Sequence, residues 1–218
     1  MSVAAVVFDL DGVLVDSEQV WDAARRELVA EHGGTWTDDA TRAMMGMSSP
    51  EWSRYMHDEL GVELDPAEIS TAVVQKLDRL YRRELPLLPG AREAVRRLAA
   101  HWPLGLASSS NREIIDLVLE LAGLAGEFAA TVSSEEVPRG KPAPDVYLEA
   151  ARRLGVPAAE CAAVEDSTNG LRAAAAAEMR VIAFPNAAFP PDEDALRPAL
   201  AIIRSLDELR PSLPALAD

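Results

Sequence analysis

From residue 86 onward, short apolar segments alternate with longer segments that have the capping residues of helices. The apolar segments have the length of buried strands and lie at residues 104–107, 130–133, 161–165, 181–184 and 201–203. Helices are predicted between them, and residues 205–213 are predicted to form a last helix. Alternation of this kind predicts an α/β fold, a parallel sheet covered by helices on both faces.

The N-terminal part of the chain departs from this alternation. Residues 3–8 (VAAVVF) are apolar and partly β-branched, which predicts a strand buried on both faces. Residues 16–85 then contain no convincing strand, and helices are predicted at 17–32, 38–45, 49–60 and 66–84. We therefore expect a core formed by residues 1–15 and 86–218, with a helical domain of residues 16–85 inserted after the first strand.

Polar clusters follow four of the predicted strands, at the strand ends where ligands collect in open α/β sheets. The clusters are Asp9 with Asp11, residues 108–111, Lys141, and Glu165 with Asp166. Taken alone, the first fits a turn, the second and fourth fit helix caps, and Lys141 fits a solvated surface charge. Their order along the chain, each one after a strand, indicates instead that they converge on one crevice.

The chemistry of these clusters is complementary. A carboxylate can attack phosphorus and divide the slow hydrolysis of a phosphate monoester into two easier steps. Crowded acids would repel one another, and a hard divalent cation with oxygen ligands, Mg²⁺, would relieve that repulsion. Ser108, the amides at the start of the helix after Asn111 and the Lys141 ammonium can then hold the phosphoryl oxygens.

The charge balance limits the partners that we expect. Lys and Arg number 21 against 36 Asp and Glu, and the resulting formal charge of −15 repels nucleic acids. No apolar segment approaches the roughly 20 residues of a membrane span, and residues 3–8 are too few for a signal peptide. The single cysteine, Cys161, lies in an apolar segment, which predicts a buried, inert thiol. We expect a cytoplasmic protein that binds neither nucleic acid nor membrane.

Four segments resemble the haloacid-dehalogenase superfamily in its phosphatase branch. They are FDLDGVLVDSE at residues 8–18, LASSSN at 106–111, GKPAPDVY at 140–147 and VEDSTNG at 164–170. They occur in the family's order and are spread over the whole chain. The resemblance implies a Rossmann-like core with a helical cap, inserted after the first motif, that closes over the site and contributes to substrate specificity.

The resemblance also implies roles for the acids at matching positions. Asp9 would be the nucleophile and a magnesium ligand. Asp11 would protonate the leaving oxygen and then activate water, and its backbone carbonyl would contact the metal. Asp166 would coordinate magnesium, and Glu165 would support it directly or through water.

The implied contacts of the phosphoryl group are Ser108 and Lys141, with Ser109 supplying a nearby backbone contact. Residues 16–25, residues 87–95 and the short cap are further similar to sugar-phosphate phosphatases, among them the hexitol and 2-deoxyhexose 6-phosphate phosphatases. We therefore predict a Mg²⁺-dependent phosphatase acting on a small phosphorylated metabolite, a sugar or polyol phosphate.

Three other activities compete with this prediction. A β-phosphoglucomutase-like mutase shares the four motifs, but its branch has a histidine where this chain has Trp21, and the arginine expected after Gly46 is missing. A 2-haloacid dehalogenase would lack Asp11. A phospho-accepting signalling module of the receiver type uses similar residues but carries no inserted cap.

The tryptophans and methionines of the predicted cap allow two interpretations. They can form the core of the cap, or Trp21 and the loop of Met45, Gly46 and Met47 can face the catalytic site and exclude water. Outside the cap, the chain has Glu178 where relatives often carry the glycine that ends a helix.

Overall fold

The computed structural model describes residues 3–217, and within that range one sheet of six parallel strands forms the centre of the molecule, in the order β3-β2-β1-β4-β5-β6. The strands are β1 (Ala5–Phe8), β2 (Leu104–Ser108), β3 (Ala130–Ser133), β4 (Cys161–Glu165), β5 (Arg180–Ala183) and β6 (Ala201–Ile202). All six were predicted, with their ends displaced by at most two residues, and the α/β fold is confirmed.

The central strand β1 shows why helices cover both faces of the sheet. Successive side chains of a strand point to opposite faces. Val6 and Phe8 belong to the apolar cluster on one face, and Ala5 and Val7 belong to the cluster on the other. Each of these four residues is fully buried. The strand therefore needs a helical layer on each face, which gives the three layers.

The helices are α1 (Glu18–Glu31), α2 (Ala40–Met44), α3 (Ser49–Asp58), α4 (Pro66–Arg83), α5 (Ala91–Ala99), α6 (Arg112–Ala122), α7 (Asp145–Leu154), α8 (Thr168–Ala176) and α9 (Glu193–Leu196). On one face of the sheet, side chains of α5 and α6 pack in the cluster of Val6 and Phe8. On the other face, α7 and α8 pack in the cluster of Ala5 and Val7. In the part of the chain that is described, no helix combines the length and hydrophobicity needed to cross a membrane.

The predicted helix at residues 205–213 is wrong. A single 3₁₀ turn, Leu206–Glu208, forms there. Its start is well capped, because Ser205 Oγ accepts a hydrogen bond from the Asp207 amide and Glu208 completes a capping box. Pro211 and Pro214 follow within six residues of Glu208, and proline removes a backbone donor and prevents a helix from continuing. The short helix α9 was not predicted.

Helices α1 to α4 lie between β1 and β2 in the chain and pack on one another. Helix α4 contacts both α1 and α3. Both α3 and α4 begin with capping boxes, Ser48 with Glu51 and Asp65 with Glu68. The two connections between this helical segment and the rest of the chain lie side by side, since the Asp16 amide donates to the Pro86 carbonyl over 2.8 Å.

Two positions singled out in the sequence have particular environments. Cys161 is fully buried, and burial raises the pKa of its thiol to about 11, so it is unreactive at neutral pH. Glu178, just beyond α8, has φ of +60°, a conformation adopted by no other non-glycine residue of the described chain. A side chain at such a φ costs about 1–2 kcal/mol, which is why glycine is favoured there.

Candidate active site

Four side chains from three separate parts of the sequence meet at the carboxyl edge of the sheet. Asp9 follows β1, Lys141 lies in the loop between β3 and α7, and Glu165 and Asp166 lie at the end of β4. Each is at most 6% exposed. Parallel strands bring their carboxyl ends to one edge, which is why residues more than 130 positions apart, such as Asp9 and Lys141, come into contact.

The ammonium of Lys141 joins two of the acids. Its Nζ lies 2.7 Å from Asp9 Oδ1 and 2.6 Å from Glu165 Oε1, and 5.0 Å from the centre of the Tyr147 ring. Burial by itself lowers the pKa of Lys141, but the two carboxylates outweigh burial and raise it above its ordinary value. Lys141 is therefore a permanent buried cation, in contrast to the solvated lysine that its sequence context alone would suggest.

Glu165 is held by hydrogen bonds on both of its oxygens. Oε1 accepts from Lys141 and from the Tyr147 hydroxyl, and Oε2 accepts from the Asp166 amide and from the amide and hydroxyl of Ser167. A carboxylate offers about four lone-pair positions, so this one is saturated. The backbone of Gly170 lies so close that a Cβ there would be 1.6 Å from Oε1. These hydrogen bonds and the Gly170 backbone fix the Glu165 carboxylate, which in turn orients the Lys141 ammonium.

Asp9, Glu165 and Asp166 form a group of acids in which one oxygen of each lies within 4.8 Å of the others. Burial raises the pKa of Asp166 well above its ordinary value, and the charges of Glu165 and Asp9 raise it further. Burial also raises the pKa of Asp9, although the Lys141 charge opposes this. A divalent cation would favour the ionised forms, so buried acids with oxygen donors alone are a donor set that suits Mg²⁺.

Gly12 makes room for this group. Its φ is +76°, and a Cβ at this position would lie 2.0 Å from Asp166 Oδ2. The turn after β1 can therefore pass directly against the Asp166 carboxylate only because position 12 has no side chain.

Asp11 lies on the side of the site that faces helices α1 to α4. Its Oδ2 accepts hydrogen bonds from Ser110 Oγ at 2.6 Å and from Ser108 Oγ at 3.4 Å, and its Oδ1 accepts from Trp21 Nε1 at 3.2 Å. Ser108 is fully buried behind Asp11 and also accepts from the Ser110 amide at 3.0 Å. The sequence pattern indicated only a helix-capping role for residues such as Ser110, yet Ser110 makes the shortest of these contacts to Asp11.

The loop after α2 touches the same site. Ser109 Oγ donates to the Gly46 carbonyl over 3.0 Å, and a Cβ on Gly46 would lie 3.4 Å from the Asn169 side chain. The predicted cap residues Trp21, Met45 and Gly46 all line the cavity above the acids. Trp21 also packs edge-on against Trp52, with ring centres 5.9 Å apart, so it contributes to the helical core as well as to the cavity.

The cavity between the acids and the helices has a volume of about 50 Å³. Of the predicted site residues, Asp9, Asp11, Trp21, Met45, Gly46, Ser109, Lys141 and Asp166 line it, whereas Ser108 and Glu165 lie behind this surface. The other lining residues are Glu18, Arg25, Met44, Met47, Trp52, Ser110 and Ser167.

Glu18 and Arg25 are functional candidates that the sequence analysis missed. A signal for them exists, because Glu18, Trp21 and Arg25 are spaced three and four residues apart and so share one face of α1. Burial raises the pKa of Glu18 to about 7, and the neighbouring Arg25 charge opposes that rise.

Comparison with known proteins identifies relatives over most of the chain. Residues 3–178 match the family model described as haloacid dehalogenase-like hydrolase. Hexitol phosphatase B of Escherichia coli K12 is 35% identical over 200 residues, 84% of this chain and 84% of that protein. A probable pseudouridine-5'-phosphatase of Drosophila melanogaster is 32% identical over 222 residues, 97% of this chain and 95% of that protein.

A solved structure shows the same architecture. The crystal structure of CbbY from Rhodobacter sphaeroides in complex with phosphate superposes with a TM-score of 0.85, at 27% identity, over 95% of this chain and 96% of that one. The resemblance read from the four motifs and the fold class are thereby confirmed.

Proposed function

The chain belongs to the haloacid dehalogenase-like hydrolase family and is a phosphoric monoester hydrolase, and from this premise we propose that it hydrolyses a sugar or polyol phosphate through an aspartyl phosphate on Asp9. The observation that carries the proposal is the buried contact of Lys141 with Asp9 over 2.7 Å, beside the Glu165 and Asp166 carboxylates. A nucleophilic carboxylate needs a positive charge beside it that can stabilise the negative charge of the phosphoryl oxygens in the transition state.

The acids that would hold Mg²⁺ are Asp9 and Asp166, two of the three buried acids that lie together. The family resemblance implies that the Asp11 backbone carbonyl would join them. Glu165 supports them through its hydrogen bonds to Lys141 and to the Asp166 amide, and it could bind the metal directly only by giving up one of its present donors. When bound, Mg²⁺ neutralises charge on the phosphoryl oxygens and keeps Asp9 ionised.

The first step forms a bond between an Asp9 oxygen and phosphorus. The bond from phosphorus to the substrate oxygen breaks, and that oxygen takes a proton from the Asp11 carboxyl as it leaves. Asp11 is positioned for this by Ser110 and Trp21, which hold its two oxygens at the substrate side of the site. Lys141 donates to the phosphoryl oxygens in place of part of its present contact with Asp9.

The second step hydrolyses the aspartyl phosphate and regenerates the free enzyme. Asp11, now a carboxylate, accepts a proton from a water molecule, and the water oxygen attacks the phosphorus of the aspartyl phosphate. The bond between phosphorus and Asp9 breaks, inorganic phosphate leaves, and both aspartates return to their starting states. One residue thus acts as acid and then as base, which general acid–base catalysis requires of a group between the leaving oxygen and the water.

We further propose that residues 16–85 act as a cap on a core of residues 1–15 and 86–218. The cavity above the acids is small, about 50 Å³, and contacts from Trp21 and Gly46 to the core hold α1 to α4 against it. Substrate entry therefore requires α1 to α4 to move away from the sheet, which breaks the contacts of Trp21 with Asp11 and of Gly46 with Ser109. Closure then excludes water other than the attacking one.

The competing activities are less well supported. In place of the mutase histidine, Trp21 presents an indole N–H that can donate to Asp11 but cannot take up or release a proton. Asp11 itself argues against a dehalogenase. The hydrolase relatives and the helices inserted after β1 argue against a receiver-type module.

The test is turnover together with trapping of the intermediate. The metal-stripped protein is assayed for phosphate release from glucitol 6-phosphate and p-nitrophenyl phosphate, with and without added Mg²⁺, and acid-quenched samples are examined by mass spectrometry for a phosphoryl group on the Asp9 peptide. We expect Mg²⁺-dependent turnover that falls more than about a thousandfold in Asp9→Asn, since an amide forms no acyl phosphate.

The matched control is Asp116→Asn, an exposed acid on α6 whose side chain is 63% exposed. It should retain wild-type turnover. Activity without Mg²⁺, or robust turnover by Asp9→Asn, would contradict the mechanism, whereas absence of phosphate release from every ester would contradict the function.

A further inference from the structure

A buried cation faces the cavity from helix α1, and the mechanism above does not use it. Arg25 is 7% exposed and lines the cavity together with Trp21 and Trp52. Its guanidinium carbon lies 4.7 Å from the centre of the Trp21 ring and 5.0 Å from that of Trp52. The two indoles restrict the orientation of the planar guanidinium and stabilise its charge.

This guanidinium has no ion pair in the protein. Within residues 3–217, no carboxylate oxygen lies within 4.0 Å of its nitrogens, and its buried Nε has no hydrogen-bond partner. Burial lowers the pKa of Arg25 to about 10, while the charges of Glu18, Asp11 and Asp22 oppose that change from a distance. Arg25 is therefore cationic at neutral pH, and its guanidinium makes no hydrogen bond within the described residues.

The other buried cations of the described chain are paired. Lys76 lies 2.7 Å from a Glu27 oxygen and 2.9 Å from a Glu31 oxygen, and Lys141 similarly contacts two carboxylates. A buried charge without a carboxylate partner is unfavourable, and an anionic ligand in the cavity would relieve that cost for Arg25. Lys76 does not line the cavity and Lys141 lines it with Asp9 and Glu165 as partners, so among these three cations Arg25 is the one that lines the cavity without a carboxylate partner.

We propose that Arg25 determines specificity by binding a second anionic group of the substrate, away from the phosphoryl group that is transferred. The inference rests on the proposed function and deepens it. The planar donor array of a guanidinium matches the two oxygens of a carboxylate or phosphate. The Trp21 indole lies between the two ends of the site, with Asp11 at its N–H edge and Arg25 against its ring face. The substrate class is thus a small phosphate ester that carries a carboxylate or a second phosphate.

The experiment compares substrates that differ only in this second group. Values of kcat/KM for Mg²⁺-dependent phosphate release are measured for 6-phosphogluconate against glucitol 6-phosphate, which replaces the carboxylate by a hydroxymethyl group. Fructose 1,6-bisphosphate against fructose 6-phosphate tests a second phosphate. The variants are Arg25→Gln, which removes the charge, and Arg25→Lys, which keeps the charge but not the planar donor array. The matched control is Arg26→Gln, an exposed arginine on the same helix paired with Asp22.

In at least one pair, we expect the wild type to prefer the substrate that carries the second anionic group. A preference in the first pair indicates that a carboxylate is bound, and a preference in the second indicates a phosphate. Arg25→Gln should reduce that preference about ten- to a hundredfold, the usual effect of losing hydrogen bonds to a charged group. Arg25→Lys should lose a smaller part of it, and Arg26→Gln none.

Two results would overturn the inference while leaving the proposed function intact: a wild type without preference in either pair, or an undiminished preference in both Arg25 variants. Melting curves recorded without substrate show whether a variant is unfolded. If one Arg25 variant is unfolded, the other Arg25 variant and the wild type still test the inference. Failure of the wild type to release phosphate from any ester, p-nitrophenyl phosphate included, would contradict the proposed function and this inference together.

Discussion

The indole nitrogen of Trp21 donates a hydrogen bond to Asp11 Oδ1 over 3.2 Å, so helix α1 contacts the proposed acid–base residue directly. Asp11 also accepts from Ser110 on the core side. Its carboxylate is therefore held from both sides, and the contact from the helices can form only when they lie against the sheet. This links the position of the proposed cap to the chemistry at Asp11.

Trp21→Phe should lower kcat/KM for sugar phosphates about tenfold, because it removes one hydrogen bond to Asp11 but keeps most of the aromatic packing. The control is Trp36→Phe, since Trp36 contacts Arg26 at the ring and does not line the cavity. Steady-state assays with several sugar phosphates provide the measurement. Equal activity of the two variants would show that the contact between Trp21 and Asp11 is not used in catalysis.

Lys141→Met should abolish turnover and lower the free energy of unfolding by about 3–5 kcal/mol, because it leaves Asp9 and Glu165 buried without a positive charge. The chain has one other lysine, Lys76, whose partners Glu27 and Glu31 are about half exposed. Lys76→Met should therefore cost about 1 kcal/mol or less and leave activity unchanged.

Urea unfolding of the metal-free proteins measures the difference between the two lysine variants. Mg²⁺ should restore more stability to Lys141→Met than to the wild type, since a bound cation replaces part of the missing charge. Equal destabilisation by the two substitutions would contradict the electrostatic role given to Lys141.

Gly170→Ala should destabilise the protein by more than about 2 kcal/mol and reduce activity strongly. Alanine is normally the better helix former, but here its Cβ would lie 1.6 Å from Glu165 Oε1 and displace the carboxylate that orients Lys141. Gly126→Ala, with no atom within 4 Å of the added Cβ, should change stability by less than about 0.5 kcal/mol. Thermal melting and turnover assays on both variants check this, and a Gly170→Ala protein as stable and active as the control would refute it.

Glu178→Gly should raise the free energy of unfolding by about 1 kcal/mol, because it relieves the left-handed backbone at φ of +60°. The control is Ala176→Gly, at the exposed end of α8, which should lower stability by about 0.5–1 kcal/mol. Melting temperatures of the two variants should therefore move in opposite directions. A loss of stability in both would mean that the conformation of Glu178 carries no strain.

Much of the fold was predictable because it depends on local properties. Each strand is a short apolar segment, and α3 and α4 begin at capping boxes that can be read from four residues. The order of the polar clusters along the chain, together with the rule that parallel strands align their carboxyl ends, was enough to predict that Asp9, Lys141 and Asp166 would meet. The mistaken helix at residues 205–213 shows the limit of this reasoning, since the capping box at Ser205 begins only a 3₁₀ turn before Pro211 and Pro214.

The direction of individual side chains was decided by the tertiary structure alone. Spacing places Trp21 and Arg25 on one face of α1, but whether that face meets the sheet or solvent depends on how α1 to α4 pack against the core. In the same way, the sequence favoured Ser108 over Ser110 as a site residue, yet Ser108 is buried behind Asp11 and Ser110 lines the cavity. Periodicity and caps act over a few residues, so the sequence by itself determined which strand ends carry the acids and Lys141. Burial, charge pairing and cavity shape arise from contacts between distant segments, so only the tertiary structure decided which side chains of α1 to α4 face those acids.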